Sequence, residues 1–261
     1  MMCPSLPSSL AISIVCRAFS PSGKRQLGKR LHRVSILGGN RTTPRVPPDN
    51  GVIAFFSGGV DGTYTFLRNE QRIDWLLFAK GIDMQLSNDA LYTEAFERNS
   101  NYLAARGKRL VPCETNVRFL GHEHGLGWGL CFGGGLSSIA LAAGARTCFL
   151  ASGLTYAKTV QEGSNYITDA LWSSGHTRIV HDGAEAERLE KIARLAEDPG
   201  ALEILRVCWR DQGYNCGTCE KCLRTMIGLR LLGLSTPNFP ELTDDMMRKK
   251  SVGRLTTTQS A

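Results

Sequence analysis

Acidic residues are missing altogether from positions 1–48, where eight basic side chains are found (Arg17, Lys24, Arg25, Lys29, Arg30, Arg33, Arg41, Arg45). Setting those eight aside from the net charge of +7 leaves −1 for residues 49–261, so the basicity belongs to the tail. A near-neutral body excludes the broad cationic surface on which phosphate-backbone binding depends, and nucleic acid is not an expected partner. Also absent is any apolar run of the roughly 20 residues that cross a bilayer, which excludes a membrane-spanning helix. No internal repeat is found, which excludes a solenoid.

The tail is rich in Ser, Pro and Gly and lacks long periodicity, so it reads as disordered or processed. Its short apolar stretch, Leu10 to Val15, is followed rather than preceded by positive charge, which argues against a secretory signal. An acid-free, Arg- and Ser-rich composition suits an organellar transit peptide; a misplaced start or a truncated upstream domain accounts for it equally. For the body, a cytoplasmic location is expected.

The chain is 42% hydrophobic and 21% charged, and long enough to bury a sizeable core. Beyond the tail, strand-like and helix-like segments alternate. Val52 to Phe56 is a continuous apolar run, the pattern of a strand buried on both faces. Further strands are expected at Trp75–Phe78, Arg109–Val111, Thr147–Ala151 and Arg178–Val180. Helices are expected over 62–69, over 89–106 behind an Asn88 or Ser87 cap, over 136–144, and over 183–197. For that last helix Asp182 and Glu185 form an acidic capping box. Leu189, Ile192, Ala193 and Ala196 form its apolar stripe, and Glu187/Lys191 and Glu190/Arg194 pair on its outer face. Such alternation implies an α/β fold, a three-layer α/β/α sandwich around a mainly parallel five-stranded sheet. The expected division is a basic tail over 1–48, a nucleotide-binding α/β domain over 49–205, a four-cysteine element over 206–235 packed on it, and a tail over 236–261.

Ser57-Gly58-Gly59-Val60-Asp61-Gly62-Thr63 comes after the first strand and opens a helix. Ligands of open parallel sheets bind beyond the carboxyl ends of the strands, and a helix start offers unpaired N–H groups and a positive dipole end. Two glycines let the backbone approach an anion, and Ser57 and Thr63 can add hydroxyl donors. A phosphate group is the expected ligand; a plain strand-to-helix turn is the alternative. The loop is neither a Walker loop, lacking the Gly-Lys-Ser/Thr ending, nor a dinucleotide fingerprint.

Nine cysteines are many for an intracellular chain, and four of them fall within fifteen residues: Cys208, Cys216, Cys219 and Cys222. Four thiolates can surround Zn2+ tetrahedrally, with Gly217 easing the tight turn and a helix over Glu220–Leu232 starting at the metal. A closed four-thiolate shell makes such an ion structural. An iron–sulfur cluster or a redox thiol pair would use similar ligands. Lys221 and Arg224 are placed to offset the charge of a zinc tetrathiolate.

The loop resembles the SGGxDS signature of PP-loop ATP pyrophosphatases, with Gly62 standing where that family has its last Ser. Together with Cys-x7-Cys-x2-Cys-x2-Cys near the end of the fold, it is similar to the 7-cyano-7-deazaguanine synthase family over about Val52 to Leu232. The fold this implies is the Rossmann-like, adenine nucleotide alpha-hydrolase type. The Pro-Gly-Arg-Asn stretch lining that family's substrate site is missing, which implies a relative with a different substrate. The resemblance implies ATP, Mg2+ and Zn2+ as cofactors and an AMP-forming ligase that adenylates a small-molecule carboxylate. Pyrophosphate leaves, and an amine or ammonia then displaces AMP. Ser57 and Asp61 would act in the site, with Gly58, Gly59, Val60, Gly62 and Thr63 completing the nucleotide loop. Other readings are a tRNA-thiolation enzyme of the same superfamily, or a degenerate domain that binds nucleotide without turnover. A homo-oligomer is compatible with all three.

Arg118, after the third strand, is a candidate clamp for carboxylate or phosphate. His122, Glu123 and His124 lie in a Gly-rich segment and could ligate metal or touch substrate, or be solvated. The polar stretch 154–168 suits a lid, Lys158 a surface position, and His181 a weak catalytic role beside the capping Asp182. Trp172 and Trp209 read as packing residues.

Overall fold

The computed structural model describes residues 50–247 except 124, 126, 159, 161 and 211. The basic tail, the residues from 248 on and His124 lie outside the described residues.

Five strands, β1 (Val52–Phe55), β2 (Trp75–Lys80), β3 (Arg109–Glu114), β4 (Thr147–Ala151) and β5 (Arg178–Asp182), form one sheet in the order β3-β2-β1-β4-β5. Every pairing is parallel. The chain runs outward from β1 through β2 to β3, then returns to lay β4 on the other side of β1. Helices make the crossovers up to β4: α1 (Val60–Asn69), α2 (Asp89–Ala104), and α3 (Val117–Glu123) with α4 (Phe132–Ala142). A 3-10 turn, Asp169–Trp172, lies between β4 and β5, and α5 (Arg188–Ala196), α6 (Pro199–Glu203) and α7 (Glu220–Leu231) follow the last strand.

Neighbouring strand residues point into two separate apolar clusters, as the period of two requires. Ala54, Leu76, Phe78 and Phe149 join Phe66, Leu103, Ile192 and Leu195 on one face. Ile53, Leu77, Cys148, Leu150 and Ile179 join Ala140 on the other. Sheet residues buried on both sides explain why β1 and β4 read as unbroken apolar runs. Pro112 does not end β3, which continues to Glu114 with Pro112 in register opposite Phe78. A proline is tolerated there because β3 is an edge strand with one free side.

Three helix starts differ from expectation, and α4, which begins at Phe132 rather than 136, is one of them. α1 begins at Val60 rather than 62, so Val60 and Asp61 belong to its first turn. The helix expected from 183 begins at Arg188: Glu187 and Glu190 form the capping box, and Asp182 instead accepts a hydrogen bond from Asn69 Nδ2 at 3.1 Å. Both acidic pairs have box spacing; the one chosen is the one that leaves Asp182 in β5. Asn88 caps α2 as expected, accepting from the Leu91 N–H. Among the described residues no helix is long and apolar enough to cross a membrane.

Candidate active site and four-cysteine cluster

The Ser57–Gly59 bend leaves the carboxyl end of β1, the strand at which the sheet changes direction of growth. That edge of an open parallel sheet is where a crevice forms. Gly58 has φ +72°, and a Cβ there would lie 2.6 Å from the Ile204 carbonyl oxygen and 2.7 Å from Asn99 Oδ1. Only glycine fits both constraints. The Gly58 carbonyl accepts from the Arg206 N–H at 2.9 Å, which ties the bend to the segment leading into the cysteines. Gly59 is the N-cap of α1, and no side chain caps that end. The first-turn N–H groups and the positive end of the helix dipole therefore lie at the sheet edge.

Asp61, in that first turn, is held by two cations from α5. Arg188 Nη1 donates to one carboxylate oxygen at 2.8 Å and Lys191 Nζ to the other at 3.3 Å. Lys191 also donates to the Ser152 carbonyl at 2.6 Å, and its side chain is 2% exposed. One ammonium thus links the turn after β1 to the end of β4, the two strands that flank the change in sheet direction. The sequence pattern places Lys191 on the outer face of its helix, paired with Glu187. Glu187 instead pairs with Lys158 at the surface, at 3.2 Å, and Lys191 faces inward beside Ile192 and Leu195. Helical spacing from Leu189 puts the stripe in the wrong place: Leu189 is partly exposed and Lys191 takes the buried angle.

Arg188 donates further to Thr225 Oγ1 on α7 at 3.1 Å. Burial pulls its guanidinium pKa below the usual arginine range and the Arg224 charge adds to this, against the opposing pull of Asp61. Glu162, in the segment after β4, is half-buried. Burial raises its carboxyl pKa; Lys221, His181 and Arg224 work against that rise and Asp61 adds to it. Asp61, Glu162, Arg188, Lys191, Lys221 and Arg224 therefore share one electrostatic neighbourhood drawn from α1, α5, α7 and the 152–168 segment. Lys221 also lies over the half-exposed Trp209 ring, at 5.6 Å from its centroid.

Other candidates fall differently. Thr63 is fully buried and its hydroxyl has no hydrogen-bond partner, so it does not present a donor at the crevice; its N–H continues the helix to Gly59. Gly62 sits in the first turn of α1, where a Cβ would have one near neighbour, the Phe55 carbonyl oxygen at 3.3 Å. Arg118 opens α3 beyond the edge strand, two strands from β1, and donates to the Ile82 carbonyl at 2.6 Å. His122 and Glu123 are on α3, which packs against α4. Trp172 packs at the rim of the core, as expected.

The four cysteine sulfurs all lie within 4.8 Å of one another. Thiolates around a tetrahedral zinc at about 2.3 Å stand roughly 3.8 Å apart, so this set can close on such an ion with little movement. Gly217, at φ +69°, makes the turn between Cys216 and Cys219, and Cys219 is the N-cap of α7, its sulfur accepting from the Cys222 N–H. Backbone N–H groups of Arg210 and Cys219 point at the sulfurs of Cys208 and Cys216, both at 3.3 Å. Burial opposes ionisation of Cys216, yet its hydrogen bonds, that from Thr218 first, hold its pKa at about 6. The cluster thus anchors the start of the helix that carries Lys221, Arg224 and Thr225.

A trough of about 1110 Å3 lies elsewhere, along β2 and β3 where α4 leaves their face uncovered, and Trp75, Val111 and Cys113 line it. Its charged groups are engaged already: Asp74 accepts from the Val52 N–H and Arg109 lies over the Trp75 ring. The convergent polar groups expected of a ligand site are at the carboxyl ends of β1 and β4 instead.

Compared with protein-family models, with curated proteins and with solved structures, the chain finds no match.

Proposed function

We propose that the β1–β4 crevice binds ATP and that the protein is an AMP-forming, ligase-like enzyme of the PP-loop type. In this reading it adenylates a small-molecule carboxylate for attack by an amine or ammonia, on a Rossmann-like, three-layer version of the fold. The observation that carries it is the Arg188–Asp61–Lys191 clamp at the first turn of α1. A glycine bend alone is an ordinary turn. A glycine bend whose helix start is lined by a buried lysine and an arginine suits a polyanion.

In this reading the Gly58–Asp61 N–H groups receive the phosphates of ATP, as such groups do at helix starts. Arg188 and Lys191, oriented by Asp61, neutralise charge that builds on departing pyrophosphate, and Lys221 and Arg224 extend the positive wall toward the acceptor. Bound Mg2+ would screen the phosphates. The four cysteines would hold zinc, a closed shell that fixes α7 and takes no part in the reaction.

The test is to incubate the full chain with Mg·ATP, ammonium chloride and a small-molecule extract and to follow the nucleotides by mass spectrometry. AMP and pyrophosphate in equal amounts are expected. ADP with inorganic phosphate would exclude adenylation, and tight ATP binding without AMP would indicate a domain that has lost turnover.

A further inference from the structure

A second polar constellation lies at the carboxyl end of β5. Asp169 is fully buried. Its carboxylate accepts from the Ser164 hydroxyl at 2.6 Å and from the Asn165 N–H at 3.2 Å, and it lies 2.7 Å from Nδ1 of His181. A bare Nδ1 lone pair facing a carboxylate oxygen at that distance would be repulsive, so the proton belongs on Nδ1 and the basic lone pair on Nε2. A buried carboxylate that fixes both tautomer and ring orientation is the arrangement a proton-accepting imidazole requires.

Position adds the second argument. His181 is the penultimate residue of β5, at the carboxyl edge of the sheet and in register with Leu150 of β4, two residues before Ser152. The Glu162 carboxyl feels His181 and Asp61 at once, together with Lys221 and Arg224. The Ser152 N–H donates to the Asp182 carbonyl at 2.8 Å while the Ser152 carbonyl accepts from Lys191, so ring and clamp meet the same sheet edge through one residue. The clamp supplies charge but no free base, because Asp61 is committed to two cations.

Resting on the adenylation reading, the geometry points to His181 as the general base of the second step, with Asp169 as its positioning residue. The nitrogen lone pair of the amine or ammonia attacks the carbonyl carbon of the acyl adenylate. A C–N bond forms and the C–O bond to AMP breaks. The proton lost by nitrogen passes to Nε2 of His181, and AMP leaves with the electron pair. Adenylation itself needs no base, since a carboxylate oxygen is already the nucleophile.

The two steps can be read separately in the full chain. Exchange of labelled pyrophosphate into ATP, with the extract as carboxylate source, reports adenylation; AMP formed in the presence of ammonium chloride reports the whole sequence. H181A is expected to keep pyrophosphate exchange within a few-fold while AMP formation falls about 100-fold or more, with part of the loss restored by added imidazole. D169N is expected to lower AMP formation and leave exchange intact. Should H181A not fold, H181Q, which keeps a donor toward Asp169, takes its place. AMP formation within twofold of the unmodified protein would overturn the inference. So would exchange and turnover falling together with no response to imidazole, the mark of a structural role. Absence of exchange and AMP in the unmodified protein would overturn the adenylation reading itself, and the base with it.

Discussion

The Lys191 ammonium lies 3.3 Å from Asp61 and 2.6 Å from the Ser152 carbonyl, so a single buried charge joins the turn after β1 to the end of β4. An unpaired buried ammonium would be costly, and here both an anion and a carbonyl oxygen receive it. Replacing Lys191 by Met keeps most of the volume and removes the charge. Asp61 retains Arg188, so the expected loss is about 1–3 kcal/mol rather than that of an orphaned buried ion. Urea unfolding measures it. ATP binding by calorimetry should weaken in the same variant, and unchanged affinity would remove Lys191 from the nucleotide site.

Arg188 and Arg118 offer a paired comparison. Arg188 holds Asp61 and Thr225, whereas Arg118 donates to the Ile82 carbonyl beyond the sheet edge. Loss of a hydrogen bond to a charged group costs about 1.5–3 kcal/mol, on the order of 10- to 100-fold in affinity. R188A is expected to weaken ATP binding by that factor and R118A to leave it within twofold. The reverse ranking would move the site to the β3 edge.

The two loop glycines should behave oppositely. G58A places a methyl group against the Ile204 carbonyl and Asn99 in a backbone of φ +72°, and should destabilise by more than about 2 kcal/mol. G62S meets only the Phe55 carbonyl at 3.3 Å. Its strain is offset by the roughly 0.5–1 kcal/mol that glycine costs inside a helix, so stability should be nearly unchanged. On the PP-loop reading activity should hold or rise, because the substitution supplies the hydroxyl that family carries at this position. Loss of turnover in folded G62S would count against the PP-loop reading.

Metal content tests the cysteine cluster directly. One zinc ion per chain is expected by mass spectrometry, and C219S should lose it. Because α7 starts at Cys219 and carries Thr225 to Arg188, removing the ion with a chelator should lower Tm on the order of 10 °C. A metal-free protein of unchanged Tm would show that the thiols serve otherwise.

Glu162 predicts a pH dependence. Burial raises its carboxyl pKa, so the folded state holds that proton at a pH where the unfolded chain has released it. Its contribution is fully present below the ordinary carboxylate range and is lost as pH rises through the raised value. E162Q, which cannot ionise, escapes that loss. The variant should therefore gain stability relative to the unmodified protein as pH climbs out of the carboxylate range, with no gap below it. A gap independent of pH would mean that Glu162 ionises as freely folded as unfolded.

Much of the scaffold was legible in the residues alone. Apolar runs such as Ile53-Ala54-Phe55 and Cys148-Phe149-Leu150 carry the pattern of a strand covered on both faces, and their alternation with helices favours parallel pairing. Gly58 and the four closely spaced cysteines announced themselves because each depends on local chemistry: a backbone conformation open to glycine, and soft ligands at turn spacing. The partners of Asp61 were not legible. Arg188 and Lys191 stand 127 and 130 positions away, and periodicity assigns Lys191 to solvent because a helix pattern counts apolar residues and is blind to a distant anion. Likewise Asp169 became the partner of His181 only when the 3-10 turn Asp169–Trp172 packed beside β5. Local propensity and patterning act within a few residues, so they determine elements and their layers. Which charges meet across the crevice is decided by the crossing of α5 and α7 over the sheet, a property of the folded chain as a whole.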